Sequence, residues 1–461
     1  MDWDRLLNFN RKRESRLSDH RSAFERDYGR IIFSTPFKRL QDKTQVFPLE
    51  ANDSIRTRLT HTLEVSSLSR GIAAAVEPVM KATELDWNAE KQRDVETLAA
   101  TAALVHDLGN PPFGHAGEDA IREWFKSKIK RDSDFKKKFS SMTPQQRNDF
   151  LYFEGNAQSL RLVRSLQVLG ESAGLNLTYG SYSACLKYTA NSVEADKDSS
   201  EHAHRKPGYF FAEEPFVNEV QQECSTGRSR NPITFIVEAA DDIVNATADI
   251  EDAVKRGVLR FSDVEDWISQ AGIGLEDIDT RIMSILDPDR SAERPFTDDE
   301  KVTAFRTAMI SVLVESVRKV FQDNYVSIMN GEFKGDLVSE CDASELHRSL
   351  ESIKGAKVFG VPAILKLELT GLRIIGNLMD ILWTGISDYP LKLGAKPRTK
   401  TFEGKAGLLV SENYARVFQK AVGDPPANVM YYRCLLLTDY ICGMTDGFAV
   451  RLHSELTDGH A

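Results

Sequence analysis

The sequence predicts an all-α protein with a minor β hairpin, and three observations carry that expectation. Apolar residues recur at steps of three and four through several long segments, strand-like alternation is scarce, and Gly, Pro, Ser and Asp gather between the periodic runs. The periodic runs are, in order, "TRLTHTLEVSSLSRGIAAAVEPVM", "RDVETLAATAALVHDL", "NPITFIVEAADDIVNATADIEDAVKRG" and "KVTAFRTAMISVLVESVRKVFQDNYVSIM". In the first of these, Leu59, Leu63 and Val65 suit a core-facing stripe, whereas Arg58, His61 and Glu64 are costly to bury without partners. The best hairpin candidate is "RKPGYFFAEEP", punctuated by Pro207 and Gly208. Loop-rich polar stretches are expected near residues 126–150, 190–206, 221–232 and 287–299, and no repeat of solenoid period is visible.

A chain of 461 residues with 41% hydrophobic and 28% charged residues has the balance of a soluble globular protein, long enough for two or three lobes. The charged start "MDWDRLLNFNRKRE" and the lack of a long uninterrupted apolar run predict a cytoplasmic protein. The five cysteines are scattered with no C-x-x-C pair, so reduced, mostly structural thiols are expected. A net charge of -10 excludes a globally basic nucleic-acid binder and confines any polyanion site to a local surface. The most basic segment is "KSKIKRDSDFKKKF", which reads as a solvated helix face. Its alternative is a stacking platform for single-stranded nucleic acid built on Phe125, Phe135 and Phe139.

The chemistry concentrates in two places. In "ALVHDLGNPPFGHAGEDAI", Gly-Asn-Pro-Pro should stop a helix just past His106 and Asp107, and a second helix should open at Gly114 with His115 and Glu118 on one face. In "EAADDIVNATADIEDA", Asp241 and Asp242 interrupt an apolar helix; adjacent positions point about 100° apart, so one of the two should face inward. Asp241, Asn245, Ala248 and Asp252 should share a face. Imidazoles and carboxylates from separate helices form a mixed N/O set suited to a divalent ion with positions left for water and substrate.

The ordered pattern of His61, then His106-Asp107, then Asp241 resembles the metal signature of the HD phosphohydrolase superfamily. More narrowly, "RTRLTHTLEV", "VHDLGNPPFGHAGE", "FEGNAQSLRLV", "LKYT", "KPGYF", "EAADDI" and "YYRCLLLTDYICGMTD" resemble the bacterial deoxyguanosine triphosphate triphosphohydrolases, in order from about residue 20 to 450. The resemblance implies an HD-domain helical core with additional C-terminal helices: an N-terminal arm over 1–30, the core with nucleotide-binding segments over 31–260, and a C-terminal region over 261–461 that completes the pocket and an oligomer interface. It implies His61, His106, Asp107 and Asp241 as metal ligands and His115 with Glu118 as the catalytic pair. Arg58, Lys187 and Lys206 would face the phosphates, with Tyr188 and Tyr209 beside them, Gln45 would read the deoxyribose, and Glu368 would shape the nucleotide pocket. Asn156 reads as a helix cap. The stretch "RTKTFEGKAGLLVSENYARVF" departs from the family pattern.

The implied activity is metal-dependent hydrolysis of dGTP, or of other dNTPs, to deoxynucleoside and tripolyphosphate. Magnesium is the expected cellular ion, with manganese or cobalt as substitutes. A homo-oligomer, commonly a hexamer, is implied, with single-stranded DNA as a candidate effector and no membrane partner. The alternatives are an HD hydrolase of another nucleotide, such as a guanosine tetraphosphate, and a catalytically silent regulator that binds dNTP or single-stranded DNA.

Overall fold

The structure, a computed structural model, describes residues 1–14, 20–47, 52–169, 172–270, 275–288, 294–423 and 427–457. It is predominantly helical. The helices that build the site, numbered in chain order, are α1 (Arg58–Ala75), α2 (Ala89–Val105), α3 (Gly114–Arg131), α4 (Gly155–Arg161), α5 (Pro232–Lys255), α6 (Asp298–Asp323), α7 (Pro362–Ile386), α8 (Val429–Cys442) and α9 (Asp446–Thr457).

Local chemistry sets their ends. Thr57 caps α1 through a reciprocal box in which its N–H donates to Thr60 Oγ1 at 3.0 Å. Asn88 caps α2, and Asn231 with Pro232 starts α5. Helix α2 ends at Val105, with His106 as its cap, ahead of the Gly-Asn-Pro-Pro segment, and α3 opens at Gly114.

Helix α5 is buried along most of its length, as expected of a helix apolar on most sides, and it packs on α1, α2 and α6. The α1–α2 contact is close because α2 presents Ala99, Ala102 and Ala103, while the Ser66 hydroxyl on α1 donates to Ala100 O at 2.9 Å. On the other side, α7 packs against α3, α8 and α9. Arg161 of α4, buried between carboxylates, donates from Nε and Nη2 to Asp439 on α8, each at 2.7 Å, and from Nη1 to Glu213 at 2.8 Å. This pairing locks the C-terminal helices onto the rest of the molecule, since removing either carboxylate would strand a buried charge.

Several expectations change. The inward stripe of α1 is Arg58, His61, Thr62 and Val65, while Leu63 lies 41% exposed on the far side, because the helix turns Arg58 and His61 inward to meet Asp107 and Asp241. The hairpin pairs Val168–Leu169 antiparallel with Ser172–Ala173, not residues 205–215. There, Pro207 makes only an isolated bridge with Ala190, Phe210 is buried, and Pro215 sits in the first turn of a helix that begins at Glu214. Residues 126–150 are mostly helical, because Asp132 and Thr143 act as caps that start two further helices. Their phenylalanines are core: Phe125, Phe135 and Phe139 are at most 2% exposed and pack with Phe150, Trp124 and Trp383, so they offer no stacking platform. The expected loops at 190–206 and 221–232 are largely irregular, and part of 287–299 lies outside the described residues. All five cysteines are free thiols. Among the described residues, no helix is long and apolar enough to cross a membrane.

Candidate active site and metal centre

Where α1, α2 and α5 meet, ligand atoms of His61, His106 and Asp241 all lie within 4.8 Å of one another. His61 is the fourth residue of α1, 1% exposed, with Nε2 3.2 Å from Asp241 Oδ1. His106 caps α2, and its Nδ1–H donates to Ala103 O at 2.6 Å, which turns Nε2 inward, 3.5 Å from Asp241 Oδ1 and 3.4 Å from Asp107 Oδ2. That Nε2 is buried with no hydrogen-bond partner. Burial lowers the His106 pKa, but the charges of Asp107 and Asp241 outweigh it and lift the group to about 9, whereas Asp241 is pulled below the usual carboxylate range despite its burial, by His106 and His61. A buried imidazole nitrogen without a partner, facing carboxylate oxygens, is what a divalent cation would satisfy. The donor set fits such an ion.

Asp107 stands beside this cluster but outside the mutual 4.8 Å set. Its Oδ2 takes Arg58 Nη1 at 2.5 Å, and its Oδ1 takes the Asn110 amide at 2.5 Å. Arg58 is therefore committed to a carboxylate.

The cluster opens into a cavity of about 850 Å³. On one wall, His115 sits in the first turn of α3 with its Nδ1 3.1 Å from Glu118 Oε2, and its ring is open to the cavity. Because a carboxylate can only accept, Nδ1 carries the proton and Nε2 faces the cavity. The hydrogen bond that His115 Nδ1–H donates to Glu118 raises the His115 pKa, while burial opposes it. Glu118 is itself held: Gly155 N–H donates to Oε1 at 2.7 Å and Arg122 Nη2 to Oε2 at 3.3 Å.

Lys187, Tyr188 and Lys206 line the same cavity, as do Gln45 and Glu368. Lys187 Nζ is 3.5 Å from Glu238, and Lys206 Nζ reaches Glu154 at 3.4 Å. Gln45 donates to Asn245 Oδ1 at 3.0 Å, and Asn245 donates to Asp241 Oδ1 at 2.8 Å, so the glutamine is keyed to Asp241. Asn156 also borders the cavity, at the second position of α4 and not at its cap, which is Glu154. Tyr209 does not line the cavity; it is 5% exposed within the core.

Both Asp241 and Asp242 border the cavity, contrary to the one-inward expectation, because the cavity wraps around α5 far enough to meet two adjacent positions. Further polar groups join them without having stood out in the sequence: Asp249, His347, Lys354 and Asp336. Asp249 was legible in principle. Steps of four from Asp241 pass through Asn245 to Asp249, while Asp252, reached through Asn245 and Ala248 by steps of four, three and four, turns aside to pair with Arg56 at 2.5 Å. The other three come from distant segments with no spacing to mark them.

A family model for the HD domain matches residues 58–143, which include His61, His106, Asp107, His115 and Glu118. Curated relatives match end to end. A deoxyguanosinetriphosphate triphosphohydrolase-like protein of Listeria innocua is 36% identical, and so is one of Listeria monocytogenes, each alignment covering 99% of both chains. One from Synechocystis is 33% identical over 99% of each. With that identity over its whole length, and with His61, His106 and Asp241 gathered in one cluster beside Asp107, the chain belongs to the HD-domain family of deoxyguanosinetriphosphate triphosphohydrolase-like proteins.

Proposed function

We propose that the protein hydrolyses dGTP, and other dNTPs more slowly or not at all, to the deoxynucleoside and tripolyphosphate with the help of a divalent metal. The observation that carries this reading is the convergence on one cavity of the His61–His106–Asp241 cluster, the His115–Glu118 pair and the lysines Lys187 and Lys206. His61, His106 and Asp241, with Asp107 alongside, would hold the metal. When bound, a divalent ion there would supply Lewis-acid polarisation of the reacting phosphate and acidification of water. Magnesium is the proposed cellular ion, with manganese or cobalt able to replace it.

The chain's own groups divide the remaining work. Lys187 and Lys206 neutralise the phosphate tail. His115, fixed by Glu118, holds or moves a proton at Nε2 beside the α-phosphorus, where water adds and the bond to the 5′-oxygen breaks, one proton passing to that oxygen. Arg58 serves first to orient Asp107. Gln45, tied through Asn245 to Asp241, faces the sugar, and Glu368 closes the nucleotide end of the cavity.

The test is a panel of dNTPs, NTPs and guanosine tetraphosphate under magnesium, manganese and cobalt, with products identified by phosphorus NMR. Tripolyphosphate from dGTP is expected. Release of orthophosphate or pyrophosphate as the first product would overturn the reading, and so would turnover restricted to guanosine tetraphosphate.

A further inference from the structure

Asp446 is 2% exposed, at the start of α9, and its carboxylate is divided between two segments of the cavity wall. Its Oδ1 accepts the Phe113 N–H at 3.0 Å. Its Oδ2 accepts the Thr44 N–H at 3.1 Å and also the Thr44 hydroxyl. Phe113 is the N-cap position of α3, two before His115; Thr44 immediately precedes Gln45. A second tie runs alongside. Lys43 Nζ, on a residue 4% exposed, donates to Asn110 O at 2.5 Å and to Cys442 O at 2.8 Å. The turn between α8 and α9 thus clasps residues 43–44 and 110–113 together.

The segment before α3 needs such a clasp. Phe113 has φ of 63°, a left-handed conformation uncommon outside glycine, and α3 has no side-chain cap at its N-terminus. Without Asp446, its N–H would be a buried donor with no partner. The Phe113 ring is also seated on Gly371 of α7, where an added Cβ would come within 2.6 Å of it. The loop is therefore located from both sides, by a carboxylate at its backbone and a glycine under its ring.

We propose that Asp446 is a positioning residue that fixes His115 relative to Gln45, so that one buried carboxylate sets both the rate of phosphate-ester cleavage and the discrimination between deoxyribose and ribose. The proposal rests on the reaction proposed above for this cavity. Both effects have one origin, because the two oxygens of a single carboxylate cannot shift independently; a small error at Thr44 is passed to Phe113.

The test is Asp446→Asn in the full-length protein, nearly equal in volume but unable to accept from both segments. Hydrogen exchange should quicken about tenfold in residues 43–47 and in 110–115 together. With dGTP, kcat should fall about tenfold to a hundredfold. The preference for dGTP over GTP should narrow about tenfold. A matched comparison is Asp149→Asn, since Asp149 is 1% exposed and accepts from Ser192, Phe211 N–H and Tyr431 away from the cavity; it should lower stability while keeping the dGTP:GTP preference. Faster exchange in only one of the two segments, or in neither, overturns the proposal. So does a fall in kcat with the sugar preference intact. If the wild-type protein turns over no nucleotide, the reaction assigned to the cavity fails, and the exchange measurement alone decides whether Asp446 couples the two segments.

Discussion

His61 Nε2 and Asp241 Oδ1 meet at 3.2 Å although 180 residues separate them in the chain. The same oxygen accepts the Asn245 amide at 2.8 Å and stands 3.5 Å from His106 Nε2. One carboxylate oxygen at the centre of two imidazoles and an amide gives the cluster a single point of failure.

Asp241→Asn should therefore abolish metal binding while preserving the fold. Wild-type protein stripped with a chelator should gain a few degrees of thermal stability when manganese is restored, because an ion that binds only the folded state stabilises it by mass action. The variant should gain none, and elemental analysis should find it metal-free. A metal-dependent rise in the variant equal to that of wild type would remove Asp241 from the ligand set.

Glu118→Gln should move the pH dependence of turnover to lower pH. The hydrogen bond that His115 donates to the Glu118 carboxylate is what raises the His115 pKa, against burial, so weakening it lets the imidazole release its proton earlier. The limb governed by His115 is expected to move toward lower pH in a profile of kcat against pH. Because the folded-state value lies above the unfolded one, the pair's contribution to stability is complete below the ordinary histidine value of 6.5 and fades as pH rises through the raised value. The difference in urea midpoint between wild type and variant should accordingly be larger at mildly acidic than at alkaline pH. His115→Ala should stop turnover with metal content unchanged.

Gly155→Ala should damage both halves of the site. A Cβ there would lie 2.1 Å from Asn110 Oδ1 and 2.9 Å from Glu118 Oε1, displacing the amide that supports Asp107 and the carboxylate that supports His115. A destabilisation of about 1–3 kcal/mol is expected in denaturant unfolding. A fall in kcat of about tenfold or more should accompany it. Gly71 in α1 is the contrast: nothing lies within 4 Å of its Cβ position, so Gly71→Ala should leave activity alone and add up to about 1 kcal/mol through helix propensity.

Arg58 and Lys206 should separate by kinetics and stability. Lys206 is partly exposed and weakly paired, so Lys206→Ala should raise KM for the triphosphate about tenfold with little change in the unfolding midpoint. Arg58 is 6% exposed and holds Asp107 at 2.5 Å, so Arg58→Ala should strand a buried carboxylate, cost about 3 kcal/mol or more, and lower kcat. Equal effects of the two substitutions on KM alone would show that Arg58 meets the phosphates directly.

Much of this molecule is legible in its sequence. The recurrence of apolar residues at three and four marks the long helices, Pro111 and Pro112 mark the break before α3, and His61, His106 and Asp241 stand in motifs whose order matches a known family. Periodicity turns Leu63 inward because it treats polar residues as outward, and α1 inverts that rule by burying Arg58 and His61 against Asp107 and Asp241. Phe125, Phe135 and Phe139 were ambiguous because a basic sequence around an aromatic ring looks alike whether the ring turns inward or outward.

Helix periods, helix breaks and motif chemistry are local properties, and the sequence by itself determined them. The pairing of Arg58 with Asp107, the joining of Gln45 through Asn245 to Asp241, and the span of Asp446 from Thr44 to Phe113 were decided by the tertiary structure. The physical reason is that a buried donor or charge must find its partner wherever packing brings one within about 3 Å, and separation along the chain places no limit on where that partner lies.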